Sequence, residues 1–139
     1  MNIRTPTWSA ITLLSVGILL SACSQENPVE SDVVMLAEVQ SQVFDASCAV
    51  SGCHAGDDPA GALNLTTGAS FDALVNVPST EVPELLLVEP GNAADSYLYI
   101  KIVGGDRIAE GTLRMPIGRV LTPAQIDLVR DWIDDGAER

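Results

Sequence analysis

The chain has 139 residues, which suits one domain and would crowd two. Nineteen acids against seven bases leave a net charge of −12, and so few cationic side chains exclude nucleic acid as a partner, because phosphate binding needs clustered Lys and Arg. A composition 47% apolar and 19% charged excludes a wholly disordered chain, while aromatics at 4% leave the core to aliphatics or to an apolar body that no side chain supplies.

In chain order, residues 1–22 come first. Arg4 and the free amine form a basic start, and Ile11 to Leu20 is an apolar run of ten residues interrupted by Thr12, Ser15 and Gly17. Ten residues at ~1.5 Å rise cannot cross a ~30 Å hydrocarbon layer, so the run reads as the core of a signal peptide rather than a membrane span. It ends in Leu20-Ser21-Ala22-Cys23, which resembles the lipobox of bacterial lipoproteins. That resemblance implies cleavage before Cys23, lipid on the Cys23 thiol and stable anchoring in a membrane. Ser24 stands where the family's inner-membrane retention signal has Asp, which implies the outer membrane, with the domain on the periplasmic or cell-surface side. Cleavage would leave all nineteen acids and six of the seven bases, a charge of −13. Residues 23–31 are polar with one proline and read as a lipidated tether, which leaves 32–139 as the folded domain.

The domain reads as all-α. Ser31 or Asp32 can cap a first helix with Met35, Leu36, Val39, Val43 and Phe44 on its stripe, ending before Ser47. Pro59, Gly61 and Gly68 mark a loop. Ser70 caps a short helix holding Phe71, Leu74 and Val75. Pro78, Pro83 and Pro90 keep residues 77–94 from being helical, with Leu85 to Val88 as a short extended piece. Asp95 caps a third helix through Tyr97, Leu98, Ile100, Lys101 and Ile102, which Gly104-Gly105 stops. A loop over 104–121 follows, carrying Arg107, Arg114, Met115, Pro116 and Arg119. The last helix has the fullest signature: Thr122 as N-cap, Pro123 at the first helical position and Gln125 completing a capping box. Leu121 and Ile126 sit at the staple positions, Ile126, Val129 and Ile133 form the stripe with Leu128 and Trp132 beside it, and Gly136 is the stop.

The chemistry concentrates at Cys48-Ala49-Val50-Ser51-Gly52-Cys53-His54. With Cys23 assigned to lipid, Cys48 and Cys53 remain as a pair in an exported chain, and a disulfide between them is one reading. His54, the single histidine, directly follows the second cysteine and supports another. Two thiols followed by an imidazole is the arrangement that covalent haem needs: each thiol adds across a vinyl group and the histidine is placed under the iron. Zinc would need two further soft or imidazole ligands, which the chain does not have. A histidine-activated thiol nucleophile is disfavoured, since adjacent side chains on one turn seldom face each other.

With this motif the chain resembles the small single-haem cytochrome c domains of exported bacterial proteins, including those abundant in planctomycetes. The matching pieces run in order: Val43-Phe44, Cys53-His54-Ala55-Gly56, Gly61-Ala62-Leu63-Asn64-Leu65, Glu89-Pro90-Gly91, Ser96-Tyr97-Leu98-Tyr99, Arg114-Met115-Pro116, Leu121-Thr122 and Trp132-Ile133-Asp134-Asp135-Gly136-Ala137. The departure is a spacer of four residues between the cysteines where the family has two. The resemblance implies about four helices with long loops around one covalently attached haem c. It also implies a crevice closed by the first and last helices, with a sixth iron ligand from the loop before the last helix. The end helices independently need partners for their apolar stripes, and a porphyrin would account for the scarce aromatics. Phe44, Leu63, Leu65, Tyr97 and Leu98 are candidates to pack on it. Arg114 and Arg119 either pair with haem propionates or are solvated loop arginines, and Asp57-Asp58 and Asp134-Asp135 read as solvated faces.

For the sixth ligand the inventory leaves Met35, Lys101 and Met115, since no second histidine exists. Met35 reads as core filler on the first helix. Lys101 would have to lose its proton. Met115 lies sixty-one residues after His54 in a loop with no stripe to serve, beside a proline that fixes the turn. The expected function is electron transfer between redox partner proteins with His54 and Met115 as axial ligands, and not enzymatic catalysis. Two alternatives are a haem-free lipoprotein binding or assembly module with a Cys48–Cys53 disulfide, and a haem protein with an open sixth site.

Overall fold

A computed structural model describes residues 33–139. The signal peptide over 1–22, the tether over 23–31 with Cys23, and the Ser31 or Asp32 cap lie outside the described residues. The described residues are mostly helical and contain no strand, which agrees with an all-α reading. No helix among them is long and apolar enough to cross a membrane.

The first helix, α1 (Leu36–Val39), runs directly into a π-helical segment, Gln40–Cys48. The π geometry closes on Ala49, whose N–H donates to the Phe44 carbonyl five residues back at 2.8 Å. The same five-residue step sets Gln40 beside Asp45, and Gln40 Nε2 donates to Asp45 Oδ1 at 2.6 Å. Gln40 is buried, so the rest of its amide must be paired as well. Its Nε2 also donates to the Leu65 carbonyl at 2.9 Å, and its Oε1 accepts from the Ser70 hydroxyl at 2.6 Å.

Three sequence expectations change here, the first being that the helical turns run on through Cys48 instead of ending before Ser47. Met35 is the N-cap of α1, with extended backbone, and is 40% exposed rather than core filler. The cause is the C-terminal segment: Asp135 Oδ2 accepts from Val34 N–H and the Glu138 carbonyl accepts from Leu36 N–H, both at 3.0 Å, so the chain enters alongside it. Ser70 lies inside α2 (Ser70–Leu74) instead of capping it, because its hydroxyl is committed to Gln40.

Residues 77–92 are non-helical, and bridges Val75–Val88 and Pro78–Leu86 hold the extended Leu85–Val88 piece. A 3₁₀ turn over Ala93–Asp95 precedes α3 (Tyr97–Val103). Asp95 closes that turn, whose cap is the Asn92 side chain, and Ser96 is the N-cap of α3 in place of Asp95. The last helix, α4 (Pro123–Asp134), carries the full capping box between Thr122 and Gln125, and Gly136 follows it at φ +106°.

The first and last helices pack against each other. Val39, Val43 and Phe44 meet Val129, Trp132 and Ile133, all at most 1% exposed. Phe44 and Trp132 meet edge to face with centroids 6.4 Å apart. Gln125 ties the pair at its other end, with Nε2 donating to the Gln42 carbonyl at 2.8 Å. Asp134 and Asp135 are exposed, yet their carboxylates accept backbone N–H groups of Ala93 and Val34. They hold the loops at the end of α4 and are not merely solvated.

Candidate functional site

The segment after the π-helix is folded by its own backbone. His54 N–H donates to the Cys48 carbonyl at 3.1 Å, and Cys53 N–H to the Val50 carbonyl at 2.9 Å. Gly52 takes φ +79° in the spacer, a left-handed position where a side chain would be strained. The His54 carbonyl accepts from Leu65 N–H at 2.9 Å, which lays the 63–65 segment along the histidine.

Beside this segment lies a cavity of ≈ 250 Å³ whose wall includes Cys48, His54 and Met115. Its lining is largely aliphatic, with Leu63, Leu65, Leu74, Val77, Leu87, Leu98 and Ile102 around it. Three residues spread over sixty-eight positions of sequence thus reach one apolar space. Leu63, Leu65, Tyr97 and Leu98, singled out from the sequence, line it; Phe44 does not, because its ring is used against Trp132. Cys53 is exposed and lies off the cavity wall.

His54 Nδ1 lies 3.2 Å from the Leu63 carbonyl oxygen. A carbonyl can only accept, so Nδ1 is the donor, and in the neutral ring this leaves the lone pair on Nε2. Anchoring one ring nitrogen on a backbone carbonyl is the arrangement that orients a ligating imidazole. Cys48 and Cys53 are both free thiols. Burial pushes the Cys48 thiol up to about 11 against the opposing field of Arg119, with Cys53 adding to the rise. A thiol held neutral in this way is a poor nucleophile at neutral pH. Among the described residues no group of three or more His, Cys, Asp or Glu side chains is placed to hold a metal ion.

Met115 is positioned by α3: its N–H donates to the Lys101 carbonyl at 2.9 Å. The other two candidate ligands fare differently. Met35 is absent from the cavity wall. Lys101 lines it, but Nζ is 2.9 Å from Glu81 Oε2 and 3.1 Å from Thr112 Oγ1, so the buried amine is engaged as an ion-paired donor. Arg114 Nε donates to the Ile102 carbonyl at 2.8 Å and Arg119 to the Ser47 carbonyl at 3.2 Å, and neither lines the cavity. Both arginines tie the Met115 loop to its neighbours.

Glu81 is the site residue that sequence reasoning missed. It lines the cavity in the proline-bearing stretch and accepts from both Tyr97 Oη, at 2.5 Å, and Lys101 Nζ. A lysine within the apolar pattern of α3 was the available signal, since a buried ammonium needs a carboxylate partner. Burial alone would raise the Glu81 carboxyl, but the bonds from Tyr97 and Lys101 outweigh it and hold the group below the usual carboxylate range.

The donor set fits a haem: an imidazole with a free Nε2, a thioether and one thiol on the wall of an apolar cavity. No protein-family model matches the chain, and no curated protein or solved structure matches it at a significant level.

Proposed function

We propose that this domain is a cytochrome c-like electron-transfer module that carries one covalently attached haem c, with His54 and Met115 as axial ligands. The observation that carries the reading is the meeting of Cys48, His54 and Met115 on one aliphatic cavity, with His54 Nδ1 committed to Leu63 and Nε2 left to ligate. Haem, when bound, supplies a one-electron couple whose potential depends on its ligands and surroundings.

The chain's own residues do the rest. His54 offers Nε2, in the tautomer that the Leu63 carbonyl fixes. Met115 offers a thioether, and a second protein ligand leaves no coordination site for a substrate, which favours electron transfer over catalysis. The largely aliphatic lining would give the haem apolar surroundings, and Cys48, on the wall, would form one thioether. Cys53, exposed and off the wall, would supply the second thiol, on a spacer in which Gly52 provides the turn. Cys23 would anchor the domain in the outer membrane through lipid, on the periplasmic or surface side, where donor and acceptor proteins are met.

The test is the visible spectrum of full-length protein made in a host that matures c-type cytochromes. A reduced spectrum typical of six-coordinate haem, unchanged by carbon monoxide, supports the reading. Carbon monoxide binding by the unaltered protein would replace it with an open-site haem protein. For the anchor, Cys23→Ser should abolish incorporation of labelled palmitate; label in that variant would remove the lipoprotein assignment.

A further inference from the structure

The loop over residues 104–121 that presents Met115 has no helix or strand of its own, so its position is set by what it bonds to. Beyond the cap bond from Gly104 N–H to the Ile100 carbonyl, four bonds tie it to α3. Ala109 N–H donates to Tyr97 Oη at 3.1 Å, and Lys101 Nζ donates to Thr112 Oγ1 at 3.1 Å. Arg114 Nε donates to the Ile102 carbonyl at 2.8 Å, and Met115 N–H donates to the Lys101 carbonyl at 2.9 Å. The first two depend on where the Tyr97 and Lys101 side chains stand. Those side chains converge on one atom, Glu81 Oε2, at 2.5 Å and 2.9 Å.

Glu81 belongs to neither the loop nor α3. It is held on its own turn, where Ser79 Oγ accepts from the N–H groups of Glu81 and Val82 at 3.2 Å and 3.1 Å. Ser79 is 3% exposed, while Thr80 and Glu81 beside it are exposed, and all three line the cavity. Lys101 is 7% exposed, and a buried ammonium that loses its carboxylate must recruit water or move. Movement withdraws it from Thr112, and Tyr97 loses its acceptor at the same time.

We infer that Glu81 is a positioning residue for Met115: through Tyr97 and Lys101 it latches the 109–115 loop onto α3 and so fixes where the thioether meets the cavity. The consequence for the iron rests on the proposed Met115 ligation; the latch itself does not. The arrangement links three cavity-lining segments, the 79–82 turn, α3 and the Met115 loop, through one carboxylate oxygen.

The test measures amide hydrogen exchange at Ala109 and Met115 in the full-length protein, with Val129 and Trp132 of α4 as internal references. Loss of the acceptor in Glu81→Ala should lower protection at both loop amides by about tenfold or more and leave α4 unchanged. Glu81→Gln keeps an oxygen for the two donors and should restore most of it. In the same samples the far-red sulfur-to-iron band of the ferric protein should fade in Glu81→Ala and return in Glu81→Gln. Unchanged protection in Glu81→Ala overturns the latch, and lost protection with an intact band overturns the positioning role. A wild type without the band removes the Met115 ligand assignment, while exchange still decides the latch. Should Glu81→Ala fail to fold, Tyr97→Phe removes a single hydroxyl and is read by the same criteria.

Discussion

Phe44 and Trp132 meet edge to face, with ring centroids 6.4 Å apart and planes at 86°. One ring comes from the π-helical segment that ends at Cys48 and the other from α4, so this contact joins the cysteine-bearing element to the C-terminal helix. Trp132 has no solvent exposure, and its indole N–H donates to the Glu138 carbonyl at 2.8 Å. Trp132→Ala should cost about 3–5 kcal/mol through the cavity it leaves. That is a large share of the ~5–15 kcal/mol that holds a small domain together. Chemical denaturation followed by far-ultraviolet circular dichroism checks it; a loss under about 1 kcal/mol would mean that the two helices do not depend on this contact.

The helix cap makes a smaller and more local prediction. Thr122 Oγ1 accepts from Gln125 N–H at 3.2 Å, and Gln125 Oε1 accepts from Thr122 N–H at 3.0 Å. Thr122→Ala should cost about 1 kcal/mol. Gln125→Ala should cost as much or more, because its amide also reaches the Gln42 carbonyl across to the first helix. A double-mutant cycle should show the two losses to be coupled, and strict additivity would contradict the capping box.

The Glu81 carboxyl lies below its usual range in the folded protein, so folding favours its ionised form. Its contribution to stability is therefore present above the ordinary carboxylate range and is lost as pH falls through the depressed value. Glu81→Gln should lower stability in the neutral region and flatten that part of the acid limb, so that the two proteins converge at low pH. An acid limb identical in both proteins would show that this pair is not linked to folding.

The two cysteines differ in setting, and their variants should differ too. Cys48 is half-buried on the cavity wall, and Cys53 is exposed off it. If both form thioethers, Cys48→Ala and Cys53→Ala should each retain haem through acid-acetone extraction. Each should also shift the reduced alkaline pyridine spectrum towards a single-vinyl form. Retention in one variant and free loss in the other would identify a single thioether and the cysteine that makes it.

What the sequence made legible was local. Thr122, Pro123, Gln125 and Gly136 announce α4 because capping is decided within a few residues, and the structure has each in that role. The apolar stripe of the first helix was readable, but its π geometry was not, since Val39, Val43 and Phe44 suit an α-helix equally well. Ser70 was misread, and the added backbone contact of the exposed Asp135 missed, for a different reason. Their partners, Gln40 and Val34, are thirty and one hundred and one residues away, beyond any pattern in the chain. Met35 fell off the core because that same Asp135 contact sets where the chain enters. At the candidate site, Cys48, His54 and Met115 were visible as donor types, and their meeting on one cavity was the new information. Glu81 stayed hidden because a carboxylate in a proline-rich stretch of an acidic chain carries no signal until Lys101 is seen to be buried beside it.

Met115 and Met35 make a matched pair for ligation, one on the cavity wall and one exposed at the start of α1. Met115→Ala should lower the reduction potential, abolish the far-red band of the ferric protein and admit carbon monoxide to the reduced form. Met35→Ala should do none of these. Persistence of the band in Met115→Ala would reassign the sixth ligand.

The covalent haem itself is tested most directly by the polypeptide that remains after acid-acetone extraction of the wild-type protein matured in a cytochrome c-competent host. Its reduced alkaline pyridine spectrum should show haem retained at one equivalent per chain, in line with the single histidine. A colourless polypeptide, with haem free in the extract or never present, would contradict the account.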